Sequence, residues 1–202
     1  YSGPDPDYQG SEICLGSNET ALSIADVTDK QNPVDVGSAT YPNVRYAHQG
    51  WLTDDQRYFY LDDELDELGG VVGNTRTLIW DLQDLDDPVL AGTYEGTQAT
   101  IDHNQYVLGN LLIQANYTSG IRVLDISTPS APEEIAFFDT TPFDGRVNFN
   151  GAWSSYPYFD GGKIIVSSID EGLFVIELTD TELAEMRHDE VPSRMSLHEP
   201  YP

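Results

Sequence analysis

The stretch Gly120-Ile121-Arg122-Val123-Leu124-Asp125-Ile126-Ser127-Thr128-Pro129 carries the pattern that decides the fold of this chain. Apolar residues alternate with other residues up to Asp125, as in a half-buried β-strand. Ser127, Thr128 and Pro129 then form a turn signal, because hydroxyl side chains and proline favour turns over strands. The stretch is therefore predicted to be a short strand that ends at an acidic residue and leads into a turn.

The same pattern recurs along the chain. An apolar strand ends at Asp26, at Asp81 and, with glutamate in the acidic position, at Glu177. Counted together with Asp125, the four acidic positions are separated by 55, 44 and 52 residues. A recurring unit of about 40 to 50 residues is typical of propellers and solenoids, in which one unit cannot bury its apolar face alone. The repeat therefore favours one continuous structure over two domains.

The third unit shows best what one repeat contains. Four strands are predicted over residues 99–108, 111–117, 121–126 and 134–139, with a Gly109-Asn110 turn between the first two. Four short antiparallel strands joined by tight turns form one blade of a β-propeller. The predicted fold class is all-β, a β-propeller of four-stranded antiparallel blades.

About four units fit into residues 1–178, and residues 179–202 are predicted to form a polar C-terminal tail. The first unit lacks an inner strand and the last lacks an outer one. Unpaired strand edges promote aggregation, so such a stack is not expected to exist alone. We expect this chain to be part of a larger closed propeller, whose remaining blades come from upstream sequence or from another chain.

The charge of the chain argues against one class of partner. Its 35 acidic residues against 9 basic ones give a formal net charge of −26. Nucleic-acid-binding faces are basic, so nucleic acid is not an expected partner. No run approaches the roughly 18 apolar residues of a membrane span. A charge of this size is typical of a protein soluble in a salty medium or of one that binds divalent cations, and both explanations stay open.

Two histidines occupy the same position in the repeat. His48 lies 22 residues after Asp26, and His103 lies 22 residues after Asp81. This position begins the inner strand, and inner strands line the central channel of a propeller. The two imidazoles are therefore predicted to meet at one mouth of the channel.

Polar residues surround this predicted meeting point, and in the fourth unit Phe149 or Asn150 falls near the same position. Such a group can bind a transition metal or a polar ligand; alternatively, each histidine packs under its own blade and bonds backbone groups. The candidate ligand-binding residues are His48, Gln49, Asp102, His103, Asn104 and Asn150.

An acidic run precedes the second signature strand. It holds five carboxylates in six residues, on Asp62, Asp63, Glu64, Asp66 and Glu67. Hard cations such as Ca²⁺ prefer several oxygen ligands, and loops supply them well. The spacing is not that of an EF-hand loop, so the run is interpreted either as a Ca²⁺ site or as a solvated loop.

Strands that end in Val123-Leu124-Asp125-Ile126-Ser127 resemble those of LVIVD-repeat propellers, and longer blocks are similar to the secreted bacterial choice-of-anchor B proteins of that group. The matching blocks are residues 1–5, 12–19, 48–53, 61–67, 101–104 and 149–153. The resemblance implies a secreted or cell-surface protein with further repeats upstream. It also implies an upstream cysteine that pairs with Cys14. It implies no particular reaction.

Two functions from different classes remain. The sequence has no nucleophile–base pair, phosphate loop or cysteine cluster, which favours a non-enzymatic extracellular binding or scaffold module, stabilised by Ca²⁺. Its partner would be an extracellular protein or a glycan, with tryptophans either binding sugar or filling blade cores. The alternative is a metal-dependent hydrolase or oxidoreductase with its site at the channel mouth around His48 and His103. Whether the protein is an enzyme stays open at this point.

Overall fold

The computed structural model describes residues 1–159 and 161–178, so the predicted polar tail lies outside the described residues. Within these residues the chain forms fourteen β-strands and a 3-10 turn at Pro6–Tyr8. The strands are β1 Ile13–Ser17, β2 Leu22–Asp26, β3 Val34–Ala39, β4 Ala47–Leu52, β5 Tyr58–Asp63, β6 Arg76–Asp81, β7 Val89–Glu95, β8 Asn104–Leu108, β9 Leu111–Ala115, β10 Ile121–Asp125, β11 Glu133–Phe138, β12 Ala152–Tyr156, β13 Lys163–Ser168 and β14 Gly172–Glu177. No helix in this part of the chain is long and apolar enough to cross a membrane.

The strands form four antiparallel sheets that follow one another along the chain. Sheet 1 contains β1 to β3, sheet 2 contains β4 to β7, sheet 3 contains β8 to β11 and sheet 4 contains β12 to β14. The inner strands β4, β8 and β12 lie side by side. The predicted all-β propeller of antiparallel blades is confirmed. Among the described residues, sheet 1 has no strand inside β1 and sheet 4 has none outside β14.

The aspartate that ends three of the four signature strands has a structural role. Its carboxylate accepts a hydrogen bond from the backbone N–H two residues later, at 2.8 Å for Asp26, 3.0 Å for Asp81 and 2.7 Å for Asp125. This Asx turn redirects the chain out of the sheet, and the short aspartate side chain is well suited to it. The repeated acid is thus explained by turn geometry, because the carboxylate ends the third strand of each of these blades.

Apolar side chains of neighbouring sheets pack into three buried clusters. Their members include Leu22 and Trp80 between sheets 1 and 2, Tyr60 and Leu124 between sheets 2 and 3, and Val123 and Val166 between sheets 3 and 4. Each large apolar side chain buried in this way contributes about 1.5–3 kcal/mol to folding. The clusters hold the blades together and so set the spacing of the inner strands.

Candidate metal centre

The inner strand of sheet 2 begins with an irregularity that turns His48 toward the next blade. Ala47 pairs with Asp63 and Gly50 pairs with Leu61, so two residues of β4 face a single residue of β5. Such a bulge re-aims a side chain. The bulge needs a glycine at position 50, since a Cβ on Gly50 would lie 2.3 Å from the Phe59 ring.

The structure brings His48 and His103 together. Their rings stack with centroids 4.6 Å apart and an interplanar angle of 25°. His103 immediately precedes β8, so the two histidines stand at the starts of neighbouring inner strands. The side chain of His48 is 26% exposed and that of His103 only 3%, so solvent reaches the pair from the His48 side.

Backbone carbonyls determine the tautomer of both imidazoles. Nδ1 of His48 donates to the carbonyl of His103 at 3.0 Å, and Nδ1 of His103 donates to the carbonyl of Trp153 at 2.5 Å. A carbonyl can only accept, so each Nδ1 carries a proton, and in the neutral imidazole Nε2 then carries the lone pair. The amide nitrogen of Asn104 donates to the same Trp153 carbonyl at 3.1 Å and lies 2.8 Å from Nδ1 of His103, so this predicted ligand residue does lie beside the histidine pair.

Both lone pairs face the carboxylate of Glu64, the residue that follows β5. Nε2 of His48 lies 3.8 Å from Oε2, and Nε2 of His103 lies 3.6 Å from Oε1. One ligand atom from each of the three residues lies within 4.8 Å of the others. Zinc binds imidazole nitrogen and carboxylate oxygen at about 2.0–2.2 Å, so an ion between the three groups reaches them all. Three acceptors that face one another form an unfavourable arrangement, which a cation would relieve.

Burial and a phenol group tune this arrangement. Burial lowers the pKa of His103, which keeps its imidazole neutral, although the hydrogen bond to Trp153 opposes the shift. The phenol of Tyr117 donates to Oε1 of Glu64 at 2.6 Å. Burial is the main cause that raises the pKa of Tyr117, and this hydrogen bond adds to it. Tyr117 therefore stays protonated and holds Glu64 in place.

The third equivalent position of the repeat is Trp153. Ala47 and Ala152 form matching bridges with the second-to-third-strand loops of the preceding units, to Glu19 and Tyr117. Trp153 therefore corresponds to His48, and it too sits in a bulge of its strand. The sequence placed Phe149 or Asn150 near this position, because extra residues before β12 displace the count. The indole lies 4.5 Å from the His103 ring and is 48% exposed.

Two other predicted ligand residues serve the backbone instead. Gln49 joins sheets 2 and 3: its amide nitrogen donates to the carbonyl of Gln105 at 3.0 Å, and its amide oxygen accepts from the backbone N–H of Gln105 at 2.9 Å. Asn150 accepts from the N–H of Gly151 at 2.7 Å. Neither contact involves the histidine pair.

The acidic run divides between three environments. Glu64 joins the histidines, whereas Asp63 is saturated by the phenol of Tyr41 and two backbone N–H groups at 2.7–2.8 Å. Asp62, Asp66, Glu67 and the neighbouring Asp102 are buried behind them. Burial raises the pKa of Asp62 and of Asp102, and it raises that of Glu67 to about 11, with the charges of Asp102 and Asp66 adding to the effect.

The sequence did not reveal the role of Glu64 or Trp153. Glu64 lies within a charge run, and the run gives no sign that one of its carboxylates leaves the others for the histidines. For Trp153 the repeat spacing gave no usable signal, because it lies 28 residues after Asp125, whereas His48 and His103 each lie 22 residues after their acidic positions.

Comparisons with known proteins support the architecture. No family model matches the chain, and no curated protein matches it. Among solved structures it is similar to a periplasmic gluconolactonase, PpgL, of Pseudomonas aeruginosa, with a TM-score of 0.63 and 12% identity over 84% of this chain and 50% of that one.

Two further solved structures are similar in the same way. A Lactobacillus plantarum protein gives a TM-score of 0.60 and 15% identity over 82% of this chain and 52% of the other. A protein of unknown function from Desulfotomaculum acetoxidans gives a TM-score of 0.56 and 11% identity over 84% of this chain and 49% of the other. The chain thus spans about half the length of the structures it matches. At these identities the likeness shows the propeller fold alone.

Proposed function

We propose that this chain binds one divalent transition-metal ion through His48, Glu64 and His103 and acts as a metal-dependent hydrolase. The observation that carries the proposal is the direction of the two histidines. Both Nδ1 atoms are engaged by backbone carbonyls, so both Nε2 lone pairs point at one carboxylate across 3.6–3.8 Å.

The donor set selects the class of metal. Two imidazole nitrogens and one carboxylate suit Zn²⁺, Mn²⁺ or Fe²⁺ better than Ca²⁺ or Mg²⁺. Three protein ligands leave coordination positions open, which distinguishes a catalytic zinc site from a closed structural one. The partly exposed side chain of His48 is on the side from which a substrate or a water molecule can approach.

A metal at this point would supply Lewis acidity and a water molecule that loses its proton near neutral pH. The residues of the chain would hold the metal ligands in place and offer a surface for the substrate. Tyr117 orients Glu64, and the two backbone carbonyls orient the imidazoles, so the ligands are held before the metal arrives. The exposed indole of Trp153 and ring of Phe149 offer apolar faces for a substrate beside the open positions.

Hydrolysis is chosen over redox chemistry by analogy with the fold. One structural neighbour is named a gluconolactonase, so this architecture supports hydrolysis of an ester-like bond in another protein.

Metal analysis tests the proposal. The protein is stripped with chelator, and Zn²⁺ and Mn²⁺ are titrated by calorimetry and by elemental analysis after dialysis. One ion per chain is expected, with loss of at least 100-fold in affinity in His103→Ala and Glu64→Gln. Glu133→Gln, which changes an exposed glutamate on β11, is the matched control and should bind normally.

Activity is measured next with a pH-stat on a panel of lactones and esters. Turnover that needs the added metal and is lost in Glu64→Gln is the expected result. If the stripped protein binds neither Zn²⁺ nor Mn²⁺ nor Fe²⁺, the hydrolase is excluded, and the non-enzymatic scaffold becomes the better explanation. If metal binds stoichiometrically and only redox substrates react, the centre is an oxidoreductase.

We also propose that the protein is secreted or exposed on a cell surface as an LVIVD-type propeller. The resemblance of its signature strands and its strong negative charge support this. The span of only half a neighbour's length supports further blades, from upstream sequence or another chain. Detection of the native protein in the extracellular fraction tests the location.

A further inference from the structure

The edge of β1 that faces the channel has no partner strand among the described residues. The other edge bonds β2. At one end the N–H of Val27 donates to the carbonyl of Glu12 at 2.8 Å, and at the other the N–H of Asn18 donates to the carbonyl of Ala21 at 2.8 Å. Successive residues of an antiparallel strand turn their N–H and C=O groups to opposite sides. The residues whose groups turn to the channel side are therefore Ile13, Leu15 and Ser17.

The chain at Tyr1 already lies on this edge. The nitrogen of Tyr1 donates to the carbonyl of Ser11 at 2.5 Å, and the N–H of Gly10 donates to the carbonyl of Tyr1 at 2.9 Å. Gly10 and Ser11 together face Tyr1, as in an antiparallel pair that contains a bulge. Ser11 turns its groups to the same side as Ile13, so a chain that precedes Tyr1 is directed along the open edge of β1.

A cleft of about 740 Å³ opens beside this edge. Apolar side chains of both neighbouring sheets line it, among them Ile13 and Leu15 from sheet 1 and Trp51, Leu52 and Phe59 from sheet 2. Ile13 and Leu15 are only half-buried, although they pack against the cluster between these sheets. An open backbone edge with apolar walls is the kind of site to which an extended strand adds.

The repeat gives the register of such a strand. The second-strand residues that lie opposite the position two before the signature aspartate are Leu15, Tyr60 and Ile113. On the inner side Trp51 pairs with Tyr60, three positions after His48. Tyr106 pairs with Ile113, three positions after His103. A strand paired with β1 would therefore carry its histidine-equivalent residue three positions before the one that faces Leu15.

Tyr1 fixes the count along that strand. Leu15 lies four residues after Ser11, which faces Tyr1, so the residue four positions before Tyr1 faces Leu15 in an antiparallel pair. The histidine-equivalent residue lies three positions earlier. It is therefore the residue seven positions before Tyr1, and it would stand beside His48 as His48 stands beside His103.

We propose that the residues preceding Tyr1 form the inner strand of sheet 1 and that the residue seven positions before Tyr1 is a histidine that binds the metal. The bonds between equivalent positions support this. Nδ1 of His48 donates to the carbonyl of His103, and Nδ1 of His103 donates to the carbonyl of Trp153. A histidine in the preceding position can donate from Nδ1 to the carbonyl of His48, and its Nε2 is then free to bind an ion.

Space for this ligand exists on the His48 side. The ring of Tyr46 stacks on His48 at 5.8 Å and still leaves the His48 side chain 26% exposed. With four protein ligands, an octahedral ion such as Mn²⁺ would keep positions open for water and substrate. The role of this histidine rests on the proposed metal site, whereas the pairing of the strand with β1 does not.

Hydrogen exchange tests the strand in the full-length protein, produced with its natural residues before Tyr1. The amides of Ile13, Leu15 and Ser17 should exchange at least about 100-fold more slowly than in an unstructured peptide, because each then donates to the added strand. Those of Cys14 and Gly16 face β2 and are the internal control for a folded sheet. Protection of the control pair alone would overturn the strand.

A cross-link tests the register. The residue three positions before Tyr1 should lie opposite Cys14 in a non-hydrogen-bonded pair, where Cα atoms are about 4.5 Å apart and a disulfide fits. A cysteine at that position, natural or introduced, should form a disulfide with the exposed Cys14 on mild oxidation. A cysteine five positions before Tyr1, which faces Gly16, is the control and should not. Cross-linking of the control alone would mean that the register is wrong.

Metal titration tests the ligand. Replacing the histidine seven positions before Tyr1 by alanine should lower Mn²⁺ affinity by about tenfold or more and leave the protection of Ile13 and Leu15 unchanged. The same replacement one position later is the control. Another residue type at the seventh position, or unchanged affinity, would overturn the ligand. Protected amides in a parent that binds no metal would instead contradict the proposed hydrolase and leave the strand in place.

Discussion

His48 donates its Nδ1 proton to the backbone carbonyl of His103 at 3.0 Å, although the two residues are 55 positions apart in the chain. The same bond that joins two blades therefore fixes which nitrogen of His48 is free. His103 repeats the device one blade further on, toward Trp153. Blade packing and imidazole orientation are thus coupled, and the metal-binding predictions depend on that coupling.

Removing either histidine should already abolish tight metal binding. With only two protein ligands left, we expect His48→Ala and His103→Ala each to lose at least 100-fold in Zn²⁺ affinity. The double variant should lose less than tenfold more, because the first loss already breaks the site. Competition with a chromophoric chelator measures all three, and additive losses would mean that the histidines do not share an ion.

Tyr117 should act through Glu64. Tyr117→Phe removes the 2.6 Å hydrogen bond to Oε1 and is expected to weaken metal affinity by about 10–100-fold, as for other residues that orient a ligand. Tyr156→Phe, at an exposed tyrosine of sheet 4, is the matched control. Equal metal affinity in the Tyr117 variant and the parent would mean that the phenol does not contribute to the metal site.

The signature aspartate should be replaceable by asparagine and not by alanine. Asp125→Asn keeps an oxygen that accepts from the Ser127 N–H, so unfolding by urea should change little. Asp125→Ala loses that acceptor and should cost about 1 kcal/mol. If asparagine were as destabilising as alanine, the negative charge would matter and the turn explanation would be wrong.

The signature residue Asp81 should make the stability of the fold depend on pH. Arg57 donates to both oxygens of Asp81, at 3.1 and 2.8 Å, and this contact lowers the pKa of Asp81. A lowered carboxyl pKa stabilises the fold above the ordinary value near 3.8, and the gain is lost as the pH falls through the lowered pKa.

Because the pair is partly exposed, its gain should be at most about 1 kcal/mol. The difference in unfolding free energy between the parent and Asp81→Asn measures it. That difference should be present at pH 6 and shrink toward zero below the lowered pKa. A difference independent of pH would assign the effect to packing.

Residues 1–202 alone should not behave as a stable monomer. Sheet 4 exposes Leu173, Val175 and Tyr156, and a cleft lined by Ile13 and Leu15 opens beside β1. We expect this segment to associate or to unfold without cooperativity, as judged by light scattering and differential scanning calorimetry. Cooperative melting as a monomer would show that no further blades are needed.

The sequence was sufficient for the fold because its information is periodic. Alternation marks strands, and an aspartate that must end the third strand to make its turn appears at Asp26, Asp81 and Asp125. The same periodicity placed His48 and His103 at one position, where their rings do stack. A periodic signal can be detected from sequence alone, because each copy of the repeat meets the same physical requirement.

The site was harder to predict because its decisive features are not periodic. A charge run is normally solvated, so its burial against Arg76 and the separation of Glu64 from Asp63 were not visible from composition. The extra residues before β12 lengthened the spacing between Asp125 and Trp153, so counting from the signature aspartate did not find this tryptophan. Both are differences between repeats, and a pattern based on similarity does not detect them.

Trp153 makes the three equivalent positions on the inner strands unequal. Three inner strands present equivalent positions, and a histidine in each would surround an ion with three imidazoles. The indole interrupts that series, so the proposed ligands end at sheet 3 and an exposed apolar surface begins at sheet 4. A duplicated architecture thereby acquires two different flanks, a solvent-open one at His48 and an aromatic one at Trp153.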